Sequence, residues 1–300
     1  MKIFDNPNEA SRCAWDVLTI GTFDGIHIGH RRILEQCLNV GKTLVVTFDK
    51  LPRRVMGEDV KMLTTWEEKI KLLNGLGVHG VLRLEFNEQL RNMEPTEFIN
   101  RYITPIAPKR IVIGENHRFG KNRKGDASLL KAMGWRVEVV PLVRADSNVV
   151  SSTYIRRLLM ECEIAEANRL LGYPYIISGK KIKGAGIGRM LGYPTINLDI
   201  SEDKLLPGDG VYGVRVNRSH PALLHIGESP TLGLPFRVEL HLLVFDDKKD
   251  VTHWEAEILT YLRPNYTFKN VDALIKCIKE DKERFLKMEA LWKNVRPAWR

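Results

Sequence analysis

Residues 21–30 read GTFDGIHIGH and directly follow the apolar stretch Val17-Leu18-Thr19-Ile20. That stretch has the length and composition of a short buried strand, and Arg31 to Leu38 continues with helical apolar spacing at Ile33, Leu34 and Leu38. His27 and His30 therefore fall at the carboxyl end of a strand, where a helix starts near Gly29. In an open parallel sheet this edge binds ligands, and a helix N-terminus adds free N–H groups and positive potential for an anion. Gly21, Gly25 and Gly29 let the backbone come close to a phosphate. Imidazoles there suit hydrogen bonding to phosphate oxygens and the charge that develops in phosphoryl or nucleotidyl transfer. The competing reading is a loop with two solvated imidazoles. With 8 His and 23 Gly in 300 residues, H-x-G-H arises by chance only about 0.02 times, which favours the anion site.

Outward from this loop, the first half alternates two patterns. Thr43 to Phe48, Val81 to Leu84, Arg110 to Ile113 and Arg136 to Val140 read as further strands. Thr65-Trp66-Glu67-Glu68 has capping-box form and opens a helix through Leu76, and Pro95 suits the first turn of another. Strand and helix repeated in this way predict an α/β, Rossmann-like parallel sheet. Helical segments run from about Thr153 to Leu171, and Gly172-Tyr173-Pro174 interrupts them. Beyond lie short β-type runs at Tyr175–Ser178, Val211–Val216, Arg237–Phe245 and Glu255–Leu262, then an amphipathic helix from Val271 to Trp292. Closely spaced strands without intervening helices predict a small antiparallel β-barrel closed by a C-terminal helix. The expected domains are 1–170 and 171–300.

Composition bounds the function. Apolar residues make up 44% of the chain, ample for packed cores, and no run is long enough to span a membrane. The N-terminus lacks an apolar signal core, so a cytoplasmic location is expected. Cys13, Cys37, Cys162 and Cys277 form no CxxC, which argues against a zinc site and a disulfide framework. The net charge of +9 is spread over both halves and suits anionic ligands. Without an arginine-rich helix or aromatic stacking repeat, no nucleic-acid partner is expected. The oligomeric state stays open, a monomer included.

The second half has a candidate site of its own. Residues 179–197 read GKKIKGAGIGRMLGYPTIN. The Gly184, Gly186, Gly188 run can fold over phosphates with its N–H groups, although no G-K-[ST] makes it a P-loop. Thr195 and Asn197 lie two apart on an extended segment, so their oxygens share one side and offer hard Mg²⁺ a seat. Read without other context, Glu239 is a solvent-facing residue on an alternating strand.

The H-x-G-H loop resembles the signature of the nucleotidylyltransferase superfamily, and Ser151-Ser152-Thr153-Tyr154-Ile155-Arg156-Arg157 fits that superfamily's second phosphate motif. Gly114-Glu115-Asn116-His117-Arg118-Phe119-Gly120, with Thr47-Phe48, is similar to segments of prokaryotic bifunctional riboflavin kinase/FAD synthetases. Gly188 to Asn197 resembles the riboflavin kinase signature, and Gly210-Val211-Tyr212, Ile226-Gly227, Val238-Glu239-Leu240-His241 and Leu262-Arg263-Pro264 follow in family order. The resemblance implies an FMN adenylyltransferase domain (1–170) and a riboflavin kinase domain (171–300), with riboflavin, FMN, FAD and ATP as substrates and products and Mg²⁺ as cofactor. It implies catalytic roles for His27, His30 and, as base toward the ribityl hydroxyl, Glu239. It implies binding roles for Gly21, Phe23, Asp24, Gly29, Asn116, Arg118, Ser152, Thr153, Arg156, Gly184, Gly188, Arg189, Thr195 and Asn197, the last two as metal seat. The sequence departs from the family at Lys50-Leu51-Pro52, His117, His225, Ser229 and the turn at 247–251. Two alternatives stay open: a nucleotidyltransferase for another phosphorylated substrate with a barrel that only binds flavin, and a flavin-sensing regulator.

Overall fold

The computed structural model describes residues 1–51, 59–146, 148–184, 186, 188, 192–229, 231, 233–243 and 251–292, with side chains to Met288. Arg189 lies outside them, as does most of the turn at 247–251. The chain divides into two compact units, the first ending at Ser152 and the second starting at Thr153.

The first unit is built on a six-stranded parallel sheet of β1 (Lys2–Phe4), β2 (Val17–Ile20), β3 (Thr43–Phe48), β4 (Gly80–Leu84), β5 (Arg110–Gly114) and β6 (Val137–Val140), in the order β1-β4-β3-β2-β5-β6. β2 is buried at every residue and β3 at all but its last, the mark of central strands covered on both faces. Leu18, Leu44 and Ile111 lie side by side in the register and anchor the core. The helix Trp66–Gly75 starts with the expected capping box, Thr65 and Glu68 each satisfying the other's backbone N–H. β1 was not expected, because a three-residue edge strand with two exposed positions carries no periodic signal. The strand order reverses between β2 and β5, so the crevice at their carboxyl ends is the topological switch point of this sheet.

The second unit holds helices Ser152–Met160 and Ile164–Leu171, then β9 (Tyr175–Ile182), β10 (Thr195–Ile200), β11 (Gly210–Val216), β12 (His220–Ser229), β13 (Leu234–Leu242) and β14 (His253–Arg263), which close into an antiparallel barrel. β7 (Arg144–Ala145) and β8 (Asn148–Val149) form a small hairpin in the first unit. The two helices go with the barrel for a specific reason. Asn168 donates to the Ile258 carbonyl (2.9 Å) and accepts from the Tyr175 N–H (2.7 Å), and Gly208 N–H donates to the Leu159 carbonyl (3.1 Å). β12 had no counterpart in the sequence reading, since Pro221, His225 and Gly227 break up its apolar alternation.

Val214, Leu224, Leu240, Ala256 and Ile258 fill the barrel interior with no exposed area. The alternate residues face outward. There the helix Val271–Trp292 covers part of the wall, its Phe285 fully buried beside Val211, Leu223, Leu259 and Leu262. Gly213 permits the contact, because a Cβ on it would lie 2.2 Å from the Phe285 ring.

Candidate active sites

In the first unit the loop after β2 is rigidly held. Gly21 N–H extends the β3 pairing by donating to the Val46 carbonyl (3.1 Å). Phe23 and Ile26 have φ of +46° and +36°, unusual for side-chain-bearing residues and typical of over-determined functional loops. Asp24 is turned inward, its carboxylate accepting from the N–H groups of Leu63 (3.0 Å) and Thr64 (3.1 Å). The structure thus gives Asp24 a part in shaping the loop.

His27 caps the helix Ile28–Val40, its Nδ1 accepting from the His30 N–H at 3.4 Å. An accepting Nδ1 puts the proton of the neutral ring on Nε2, where it can donate to an anion. The two imidazoles stack with centroids 3.7 Å apart, and Phe23 packs on His30 at 5.2 Å. Gly29 makes room for this arrangement: a Cβ there would sit 3.1 Å from the His27 ring. His30 Nδ1 is buried and has no hydrogen-bond partner among the described residues. Burial above all, then the neighbouring His27 and Lys69 charges, holds the His30 pKa well below the ordinary histidine range. His30 is therefore neutral at pH 7.

Lys69 is a functional candidate that the sequence reading missed. Its buried ammonium donates to the carbonyls of Thr22 and Phe48, both at 2.9 Å, tying the ends of β2 and β3 together beneath the loop. Burial pulls its pKa down to about 8 against the opposing pull of Asp24 and Asp49. The signal was available: Lys69 shares a helical face with Leu72 and Leu73, both fully buried.

Asn116 and Arg118 lie just after β5, at the same sheet edge as the histidine loop. Both are exposed, and Arg118 donates to the His117 carbonyl (2.8 Å). His117 stacks beside Phe119, and burial lowers its pKa to about 4. The Oγ of Ser152, the last residue of the first unit, donates to the Asp24 carbonyl of the histidine loop (2.9 Å). Thr153 and Arg156 follow on the helix Ser152–Met160, in the second unit.

In the second unit the candidate residues converge on the outer wall of the barrel. Antiparallel register sets Thr195 opposite His241 and Asn197 opposite Glu239. Opposed residues share a face, so the Thr195 and Asn197 oxygens and the Glu239 carboxylate cluster. The glycine loop lies directly over them: a Cβ on Gly184 would fall 2.0 Å from the Asn197 amide, and one on Gly188 would fall 3.1 Å from Thr195 Oγ1. Only glycine fits this cradle. The two neutral oxygens suit a hard divalent cation that keeps waters and takes further ligands from substrate phosphates, with the Glu239 carboxylate beside it. Gly188, Thr195 and Glu239 line a pocket of about 140 Å³ whose far wall is Leu274, Ile278 and Asp281 of the C-terminal helix.

Three more pocket residues went unremarked as site residues. Arg237 pairs with Glu239 at 3.4 Å. His225 stands opposite Glu239 on β12. Arg263 is locked to Asp281 at 2.8 Å and packs over the Tyr266 and Phe268 rings. Burial lowers the His241 pKa, and because a carbonyl only accepts, Nδ1–H donates to the Pro194 carbonyl (3.1 Å) and fixes the entry to β10. Arg237, Glu239 and His241 alternate along one strand, a pattern visible in sequence once the buried face is known.

Comparisons with known proteins agree across both units. The FAD synthetase family model matches residues 10–154, and the riboflavin kinase family model matches residues 171–288. The bifunctional riboflavin kinase/FMN adenylyltransferase of Listeria monocytogenes is 34% identical, over 89% of this chain and 90% of its own. The protein of the same name from Bacillus subtilis is 30% identical, over 91% and 92%. Among solved structures, a crystal structure named as a macrolide-efflux protein from Streptococcus pneumoniae superposes with a TM-score of 0.84. It is 27% identical and covers 95% of this chain and 98% of that one. No described helix of this chain is long and apolar enough to cross a membrane.

Proposed function

The chain belongs to the bifunctional riboflavin kinase/FMN adenylyltransferase family, and from that premise we propose how its residues divide the two reactions. The enzyme phosphorylates riboflavin with ATP to FMN, then joins the AMP of a second ATP to FMN, giving FAD and pyrophosphate. We assign adenylyl transfer to residues 1–170 and phosphorylation to 171–300. The observation that carries this division is the opposition of Asn197 and Glu239 beneath Gly184, a phosphate seat and a base that use none of the histidine-loop residues.

In the kinase reaction Glu239 orients the ribityl hydroxyl and takes its proton as the hydroxyl attacks the γ-phosphorus. Thr195 and Asn197 hold Mg²⁺, which neutralises phosphate charge when bound. The glycine run encloses the phosphates with its N–H groups, and Arg189 belongs to the same stretch.

In adenylyl transfer the FMN phosphate attacks the α-phosphorus in line, with no covalent enzyme intermediate. His27 Nε2–H donates to phosphate oxygens, and neutral His30 donates without bringing charge that would have to be desolvated. Gly21, Phe23 and Gly29 shape the loop, Asn116 and Arg118 flank it, and Ser152, Thr153 and Arg156 hold the pyrophosphate end. A cytoplasmic location accords with dependence on ATP for both steps.

Incubation with riboflavin, ATP and Mg²⁺ followed by chromatography is expected to yield FMN and FAD, and EDTA should abolish both. An absence of FMN would refute the kinase assignment, and FMN without FAD would refute the other.

A further inference from the structure

The outer wall of the barrel bears a row of side chains that crosses four strands. Asn197 on β10 stands opposite Glu239 on β13, Glu239 opposite His225 on β12, and His225 opposite Val211 on β11. Glu239, His225 and Val211 all line the pocket under the C-terminal helix. His225 Nδ1 is buried and completes no hydrogen bond, and neither does Asn265 Oδ1 in the same pocket. Asn265 spends its amide N–H on the Ile226 carbonyl at 2.9 Å. The Asn265 side chain and the Glu228 backbone lie beside the imidazole, but neither gives Nδ1 a bond of acceptable geometry. Buried polar atoms left open in native proteins are usually completed by water or a ligand.

Burial, assisted by the Arg263 and Arg237 charges, pulls the His225 pKa down to about 4, so the ring is neutral at working pH. A neutral imidazole offers Nδ1 as acceptor or as donor according to tautomer. A hydroxyl satisfies either form, whereas a carbonyl or carboxylate satisfies only one. The position on the wall narrows the choice further. Neighbouring strands are about 4.8 Å apart, so His225 lies one strand step beyond the base and away from the phosphate seat. That step exceeds the spacing of adjacent hydroxyls on a polyol chain.

We propose that His225 is a specificity-determining residue of the kinase site, hydrogen-bonding a hydroxyl of the ribityl chain interior to the one phosphorylated. This rests on the kinase reading of the same pocket. The test compares riboflavin with a flavin whose N10 chain is 5-hydroxypentyl, which keeps the terminal hydroxyl and lacks the interior ones. The wild-type chain is expected to prefer riboflavin by at least about tenfold in kcat/KM. His225→Phe should cut that preference to within about twofold by losing activity on riboflavin alone. His225→Asn, which keeps a donor and an acceptor, should restore it. Retained turnover of the hydroxypentyl flavin reports that the barrel of each variant is folded. An equal loss on both flavins, with the preference kept, overturns the proposal. A second measurement needs no variant. With histidine labelled with ¹⁵N, riboflavin plus ADP should move one Nδ1 resonance that the hydroxypentyl flavin plus ADP leaves in place, and identical spectra would overturn the assignment. Failure of the wild type to phosphorylate either flavin would instead sink the kinase reading beneath it.

Discussion

In the proposed division of labour, the histidine loop and the barrel wall solve one problem, gripping the phosphates of ATP, by opposite means. In the first unit the grip comes from neighbours in sequence. His27 caps the helix that carries His30, Gly29 admits the stacked ring, and the core of the proposed anion seat lies within one strand–loop–helix turn. In the second unit it comes from register. Asn197, Glu239 and His225 occupy three strands and meet only because β10, β13 and β12 pair in one alignment. A local device tolerates drift elsewhere in the chain. A register device does not, since a slip of one residue turns every side chain to the other face.

The largest expected effect tests the separation itself. Glu239→Ala should lower FMN formation by about 10²–10⁴-fold, the usual worth of a general base, while supplied FMN is still adenylylated. His30→Ala should lower FAD formation by about 10²–10³-fold, as for loss of one preorganised donor, while riboflavin still becomes FMN. Measuring both half-reactions on each variant decides the matter, and loss of both activities in a folded variant would break the comparison.

A smaller effect sharpens it. Gly184→Ala drives a methyl to 2.0 Å from the Asn197 amide, whereas Gly29→Ala meets the His27 ring at 3.1 Å. The first cannot be absorbed without moving the metal seat and should lower kinase turnover about a hundredfold. The second asks one ring to shift by a few tenths of an ångström, and its cost to FAD synthesis should stay within about tenfold. Similar losses in the two would mean that the local site is as brittle as the register site.

The smallest effect is on stability. His117 in the first unit and His225 in the second both titrate near 4 in the folded protein, lowered chiefly by burial. Their unfolded values lie near 6.5. Between those limits the unfolded chain binds more protons, so stability falls as pH drops from about 6.5 to about 4 and is unaffected above. Thermal unfolding of His117→Phe and His225→Asn should each show a shallower decline over this range than wild type. An unchanged slope would mean that the imidazole is solvated in that unit.

The difference between the two sites also decides what could be read in advance. The parallel α/β sheet, the capping box at Thr65 and the histidine loop were legible because they rest on patterns spanning a few residues. The proposed metal seat was half legible: Thr195 and Asn197 share a side by strand geometry alone. Glu239 was not, since nothing in an alternating strand says which face is covered, and only its resemblance to a family marked it. Asp24 was legible as part of the loop, but its inward turn toward Leu63 and Thr64 was not, because those donors arrive from about forty residues away. The burial of Lys69 was legible from its helical face, but its reach to Thr22 and Phe48 was not.

By itself the sequence determined most of the elements, the parallel sheet with its histidine-bearing edge, and the barrel that follows, because hydrophobic period and capping chemistry act over a turn or a strand. Only the tertiary structure decided that the pocket proposed for the kinase reaction lies on the outside of the barrel, beneath the C-terminal helix, with His225 and Arg237 flanking Glu239. The interior positions of those strands are filled by Leu224, Leu240 and their neighbours. The polar alternates therefore had to face outward, and strand pairing alone chose which of them would meet.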